Sequence, residues 1–384
     1  MRKDFGFLII LCLLIAVAAT HSTAEESKMQ FWDRQQKGAN IFNEEILRKD
    51  IKAAKNYGIT FIRLAPDKFI SEARDFLIGD ADDYQGLVPE DLRQLKGILD
   101  MFYEEEMPVL ITVLSLPGSR WRQNNKGVDD LRIWRNREFQ NQAAKFWQDL
   151  SGEIAGHPTL VGFNVLNEPH PERLFSQDDM TEAEKNEVRN MLFEFYDLVI
   201  ASIRKVDKDI PIILDSSAYA DPNAFQKMRR HNDKRVLYSF HMYEPYAYTN
   251  KRLNDGKFKY PGLVNGVYWD YNALKNYMNA VVAFQRLNNI SNNRILVGEF
   301  GGHRMSEGLS KYFADLTGIF NENGWHYAFY AFREDTWDGM DYELGSGGMP
   351  WSYWQALERG EKTVVDRNPD SPIFKSILDS IQKP

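Results

Sequence analysis

The sequence predicts an α/β fold, a single closed (β/α)8 barrel with extended loops after its strands. Two observations predict it. Eight short β-like runs alternate with helix-like segments, and most of the runs are unbroken stretches of Val, Ile, Leu and Phe. Unbroken apolar runs belong to parallel strands covered on both faces, whereas half-exposed strands alternate apolar and polar residues. A third observation agrees. Reactive residues gather at the C-terminal ends of the runs, where barrels of this kind build their sites. An open doubly wound sheet would alternate similarly, but no Gly-rich phosphate-binding turn follows an early strand.

The expected strands are 39–42, 60–64, 109–114, 160–166, 210–214, 236–241, 295–298 and 326–332. Between them the expected helices are 44–57, 89–105, 137–155, 182–206, 222–230, 271–287 and 307–323, with 371–382 closing the chain. Thr181, with Glu184 three residues on, reads as a capping box for the longest helix. Gly58, Gly156 and Gly324 stand just past helix ends, where a left-handed residue is commonly needed. The longest connection runs from Tyr243 to Asp270.

Residues 1–24 are expected to be a cleavable export signal. Arg2 and Lys3 begin it, an apolar run follows over 7–19, and Ser22-Thr23-Ala24 supplies small residues at the cleavage position. The run is shorter than the ~20 residues of a spanning helix, which weighs against an uncleaved anchor. Residues 25–384 then form one catalytic domain, secreted or periplasmic; no repeat, low-complexity tract or linker divides them. Cys12 is the only cysteine and lies in the signal, so the mature domain rests on its core without disulfides. A chain of this size buries enough surface to do so. Removing Arg2, Lys3 and Asp4 from 47 basic and 55 acidic residues leaves 45 against 54, a formal charge of −9. Such a surface is a poor partner for nucleic acid or an anionic membrane. A monomer is expected.

Nine Trp, 18 Tyr and 24 Phe are many for this length. Trp121, Trp134, Tyr246, Tyr248, Tyr260, Tyr268, Trp269 and Trp337 fall in polar, loop-like stretches. Sugar rings have an apolar face that stacks on aromatic side chains, although loop packing accounts for any one of these residues equally well.

Asn167-Glu168-Pro169 follows the fourth run, and Glu299-Phe300-Gly301 follows the seventh. A lone strand-end Glu is most often an ion-pair partner. Two on alternate strands of one rim are more specific, because paired carboxylates divide general acid and nucleophile work between them. Arg63 near the second strand end, and His241 and Tyr243 at the sixth, share that rim. No His-Glu-x-x-His or Gly-x-Ser-x-Gly is present. Asp80-Ala-Asp-Asp83 reads as a solvated loop in preference to a calcium site. Neither metal nor cofactor is expected.

From Lys37-Gly38-Ala39-Asn40 through the eighth strand, the chain resembles the cellulase-type glycoside hydrolases of family 5. Asn-Glu-Pro after strand four and Gly298-Glu299-Phe300-Gly301 after strand seven carry the resemblance. It implies a retaining hydrolase of β-linked glucans, or of a related mannan or mixed glycan, of endo-β-glucanase type. Glu168 would be the acid/base and Glu299 the nucleophile, with carboxyls about 5–5.5 Å apart. Arg63 would orient Glu299, Asn167 would bond the sugar 2-hydroxyl, and Tyr243 would donate to the nucleophile. His241 would contact substrate or the acid/base, and Trp121 would contact the sugar chain.

Two departures stand out. The family's strand-three His is absent from Thr112-Val-Leu-Ser-Leu-Pro117-Gly118, where Ser115 is the candidate stand-in. The family's Trp after strand eight is also absent, with Phe332 or Trp337 as candidates for its place. The alternative reading is a catalytically silent barrel that only binds carbohydrate.

Overall fold

The computed structural model describes residues 28–175, 180–361 and 365–383; the expected export signal lies outside them. The strands are β1 (Lys37–Ile41), β2 (Ile62–Leu64), β3 (Val109–Thr112), β4 (Leu160–Asn164), β5 (Ile212–Asp215), β6 (Val236–Met242), β7 (Gly262–Val264), β8 (Val267–Trp269), β9 (Ile295–Phe300) and β10 (His326–Phe329). Eight of them pair in parallel and close in the order β1-β10-β9-β6-β5-β4-β3-β2. Each expected run supplies one barrel strand, so the fold is the (β/α)8 barrel.

Side-chain alternation divides the core in two. Ile62, Leu64, Val109, Ile111, Ile212, Leu214, Tyr238 and Phe240 point outward and join the apolar layer beneath the helices. Phe61, Leu110, Ile213 and Leu237 point inward and fill the lower barrel. Trp32 plugs that end from below, its indole N–H donating to the Val161 carbonyl at 2.8 Å. Two residues further along the same inward face come Arg63, Thr112, Asp215 and Ser239, all completely buried. The barrel interior therefore turns from apolar to polar within one step of the pleat, just below its C-terminal mouth.

The helices follow their sequence signals closely. Glu182–Val206 starts at the Thr181–Glu184 capping box. Asn136 caps Arg137–Ile154, and Ser371 caps Pro372–Ile381. Leu309–Asn323 ends on Gly324 at φ 62°, and Gly58 is left-handed as expected. Gly156 is not left-handed, because the preceding helix ends without that device.

The expected helix 44–57 begins four residues late, at Arg48, with no side-chain cap at Leu47. Two further helices differ more. Residues 222–230 form only a 3-10 turn, Pro222–Gln226, begun by the Asp221 carboxylate accepting from the Asn223 N–H. The segment 271–287 is broken at Met278 into Tyr271–Tyr277 and Asn279–Asn288, with the Asn279 amide bonded back to Asn276. Short polar side chains that bond locally compete with helix continuation in this way. The long 243–270 connection holds the β7–β8 hairpin, turned on Asn265-Gly266, both at positive φ.

Among the described residues, no helix is long and apolar enough to cross a membrane. Asp80 and Asp82 are taken up by Arg120, Asp82 additionally by Arg74, and Asp83 accepts from the Gln85 amide. Trp134, Tyr248 and Tyr260 are buried packing residues.

Candidate active site

The polar layer is organised around Arg63. Its guanidinium is completely buried on β2. Nη1 donates to Glu299 Oε1 at 2.8 Å and to Asn40 Oδ1 at 2.9 Å. Nη2 donates to Asn164 and Asn167, each at 2.7 Å, and to Thr112 Oγ1 at 3.2 Å. A planar fork with five N–H donors serves several acceptors at fixed angles, which an ammonium cannot do.

Glu299 faces this fork because the pairing of β6 with β9 is irregular. Val297 pairs with Phe240, but Glu299 then pairs with His241. Strict alternation after inward Leu296 would leave Gly298 inside and Glu299 outside. The bulge re-aims the carboxylate into the mouth. Gly298 is required at that bend: a Cβ there would lie 2.7 Å from Ser239 Oγ and 3.0 Å from His241 Nε2. The second oxygen of Glu299 accepts from the Tyr243 hydroxyl at 2.8 Å.

Glu168 stands just beyond β4 in the left-handed region, at φ 51°. That conformation costs a non-glycine residue about 1–2 kcal/mol, and it clusters at functional sites. Two contacts hold it. The Glu168 N–H donates to Asp215 Oδ2 at 3.2 Å, and its carbonyl accepts from His170 Nδ1 at 2.8 Å. Its carboxyl group meets His241 Nδ1 at 2.8 Å and leaves about a third of the side chain open, 31%. One oxygen of Glu168 and one of Glu299 lie within 4.8 Å of each other, with a His241 ring nitrogen within the same reach of both.

Burial is the main influence on the Glu168 carboxyl and pushes its pKa up; Glu299 and Asp215 push the same way, against the His241 contact. Burial pulls His241 down, but Glu299, Glu168 and Asp215 outweigh it and hold the imidazole above its ordinary value. Burial and Glu299 drive the Tyr243 phenol far up, so it stays a donor. The site thus pairs a proton-retaining carboxyl with one gripped by a cation and a phenol. Glu168, His241 and Glu299 are the one group of ligand-type side chains among the described residues close enough to share an ion. Their contacts are already made with each other, Arg63 and Tyr243.

A cavity of about 750 Å³ opens over the pair, lined by Glu168, Glu299, Asn167, His241, Tyr243 and Trp121 among others. The structure therefore brings together seven of the nine residues singled out in the sequence. It does not bring Phe332 or Trp337. Strand pairing ends at Phe329, so inward parity no longer holds at Phe332. That ring is buried against Phe374 and Tyr57 and anchors the C-terminal helix. Trp337 lies out on the following loop, 42% exposed, with its ring 6.2 Å from His303.

Tyr330 takes the place on the barrel mouth. It packs against Phe42 at 5.2 Å and beside Trp121 and Leu114, close enough to Glu299 to feel its charge. At the end of the third strand Leu114 faces the cavity. Ser115 is not the stand-in; its hydroxyl accepts from the Trp121 N–H at 2.9 Å. Asp215, Asn164, Asn40 and Thr112 were also missed. For Asp215 and Thr112 the available signal was parity with the inward apolar residues Ile213 and Leu110; Asn40 and Asn164 follow glycines on the inward face, Gly38 and Gly162, and carry no such signal.

A closed barrel with two carboxylates converging over its C-terminal mouth is the architecture of the retaining barrel glycosidases. The chain belongs to the cellulase family, glycosyl hydrolase family 5, whose model matches residues 22–336. It is similar to endoglucanase C of Acetivibrio thermocellus, 22% identical over 235 residues, covering 59% of this chain and 61% of that protein. It is likewise 22% identical over 207 residues to cellodextrinase A of Ruminococcus flavefaciens, 54% of each. The chain thus spans less than two thirds of these curated relatives. The crystal structure of endoglucanase Cel5A from the hyperthermophilic Thermotoga maritima superimposes with a TM-score of 0.63 at 16% identity, over 92% of this chain and 99% of that one. At such identity the likeness carries the fold alone.

Proposed function

We propose that the chain hydrolyses β-linked glucans or related β-glycans, cutting within the chain and retaining the anomeric configuration. The observation that carries this is that one carboxylate oxygen of Glu168 and one of Glu299 lie within 4.8 Å of each other across the mouth. Retaining enzymes hold their pair about 5–5.5 Å apart; inverting ones leave about 6.5–9.5 Å for a water. Glu299 attacks the anomeric carbon and forms a glycosyl ester, while Glu168 gives its proton to the leaving oxygen. Glu168, now a carboxylate, then takes a proton from the water that cleaves the ester. Arg63 and Tyr243 hold Glu299 by one oxygen each, so its attacking geometry is set before substrate arrives.

Asn167, tied to Arg63 through its Oδ1, has its amide N–H free to bond the sugar 2-hydroxyl. Trp121 lines the cavity and offers a ring for the sugar chain. The glucan preference rests on the names of the two similar proteins, an endoglucanase and a cellodextrinase. Residues 1–24 carry the composition of an export signal, which supports a secreted or periplasmic protein.

The experiment is a panel of β-glucans and mannans, with NMR of the first anomer released. β-Anomer product from a β-glucan, abolished in Glu299→Gln, is the expected result. Release of the α-anomer first excludes double displacement. Binding without turnover across the panel favours the silent carbohydrate-binding barrel instead.

A further inference from the structure

Asp215 ends β5 directly beneath the two glutamates and is completely buried. Its Oδ1 accepts from the Asn164 amide at 3.1 Å, and its Oδ2 accepts from the Glu168 backbone N–H at 3.2 Å. Oδ2 also stands 3.6 Å from His241 Nε2 and 3.8 Å from Arg63 Nη2. Nε2 is buried and has no hydrogen-bond partner. One flank of that nitrogen is the bare backbone of Gly298, where even a methyl group would lie 3.0 Å away. The other ring nitrogen, Nδ1, faces Glu168 at 2.8 Å and Glu299 at 3.8 Å. The charged groups around the imidazole are therefore Glu168 after β4, Asp215 on β5 and Glu299 on β9, with Arg63 on β2 behind Asp215 and Tyr243 behind Glu299.

We propose that Asp215 is a positioning residue that keeps a proton on His241 Nε2 and thereby sets the pH range in which Glu168 carries its own. Asp215 Oδ2 lies 3.6 Å from Nε2, beyond hydrogen-bond reach but near enough for a negative charge there to favour the tautomer that turns an N–H toward it. With Nε2 protonated, Nδ1 is the nitrogen left to trade a proton with Glu168. It accepts from the Glu168 hydroxyl when the ring is neutral and donates to the carboxylate when the ring is an imidazolium. Nothing is gained or lost overall: the proton Glu168 gives to the leaving oxygen is returned from water in the second step. Asp215 also favours every protonated state of the pair through its charge, and the raised pKa values of both Glu168 and His241 include its contribution. The same carboxylate holds the strained Glu168 backbone, so charge and geometry are set by one side chain.

This inference deepens the proposed reaction and rests on Glu168 as its acid/base. Asp215→Asn keeps the size and removes the charge; its one carbonyl oxygen can still accept the Glu168 N–H at the cost of the Asn164 contact, and without the negative charge nothing beside Nε2 favours a proton there. The alkaline limb of kcat/KM on an unactivated oligosaccharide is expected to move to lower pH by about one unit or more. Activity at acidic pH should fall much less than activity at neutral pH. A limb that stays in place while activity falls equally at all pH values makes Asp215 merely structural and overturns the proposal.

A second measurement does not depend on the variant folding. In the wild-type chain, ¹⁵N NMR of the His241 ring should show a protonated Nε2 throughout the active pH range. A bare Nε2 with the proton on Nδ1 overturns the proposal. Failure of the acid assignment would show separately, as undiminished turnover of unactivated substrates by Glu168→Gln.

Discussion

Replacing Glu168 with Gln removes a proton donor and little else. The amide is nearly isosteric and retains a polar contact to His241 across the 2.8 Å gap. Burial already disfavours the ionised carboxyl, so a neutral amide is tolerated and the melting temperature should be unchanged or raised. General acid–base catalysis contributes about 10²–10⁴-fold, or roughly 3–5.5 kcal/mol. Hydrolysis of a cello-oligosaccharide, whose leaving alkoxide needs that proton, should therefore slow by about this factor. A dinitrophenyl glycoside leaves as a stable phenolate, so its first step should slow by less than about tenfold.

Deglycosylation still lacks its base in this variant. The assay should show a burst of phenolate equal to the enzyme present, then slow turnover. Azide, a nucleophile that needs no base, should restore the rate and yield the β-glycosyl azide. Equal losses on both substrates, with no burst and no azide effect, would refute the assignment of Glu168 as acid/base.

Tyr243→Phe removes one bond to the Glu299 carboxylate, and such bonds to charged groups are worth about 1.5–3 kcal/mol. kcat/KM should fall roughly 10- to 150-fold with little change in urea stability; the reverse pattern would make the phenol a structural strut. Arg63→Lys keeps the charge, but three ammonium donors cannot serve the five side-chain acceptors Asn40, Thr112, Asn164, Asn167 and Glu299. At about 1–3 kcal/mol per buried orphan, two orphans predict a urea-measured loss of roughly 2–6 kcal/mol together with severely reduced turnover.

Asp67 is held at about 7 mainly by burial, although it accepts the Leu114 and Ser115 N–H groups. The folded state then binds its proton more tightly than the unfolded chain does. Its stabilising contribution is full below about pH 4 and is lost as pH rises through about 7. Asp67→Asn should flatten the melting-temperature slope between those values, and an unchanged slope would show that another group titrates.

How much could be read beforehand differed between elements for physical reasons. The strands were legible because an outward apolar layer under helices imposes Val, Ile, Leu and Phe on every strand. The long helices were legible through periodicity and caps such as Thr181–Glu184. The segments that misled, 222–230 and 271–287, are short or carry Asn and Asp side chains that bond locally. Their outcome depends on what packs against them. The Asn265-Gly266 hairpin was a readable local signal inside a stretch taken as loop.

The barrel and both carboxylates were readable along the chain, because each carboxylate stands beside an apolar run long enough to be recognised. Arg63, Asn167, His241 and Tyr243 were readable too. Only the closed barrel decided how these meet. It made Arg63 the centre of five acceptors drawn from four other strands or their ends, and it put Asp215 under His241. It turned Glu299 inward through an irregular pairing and gave Tyr330, not Phe332, the position at the mouth. Those outcomes depend on register and closure between strands far apart in the chain, and a one-residue shift in pairing reverses which side chains face in.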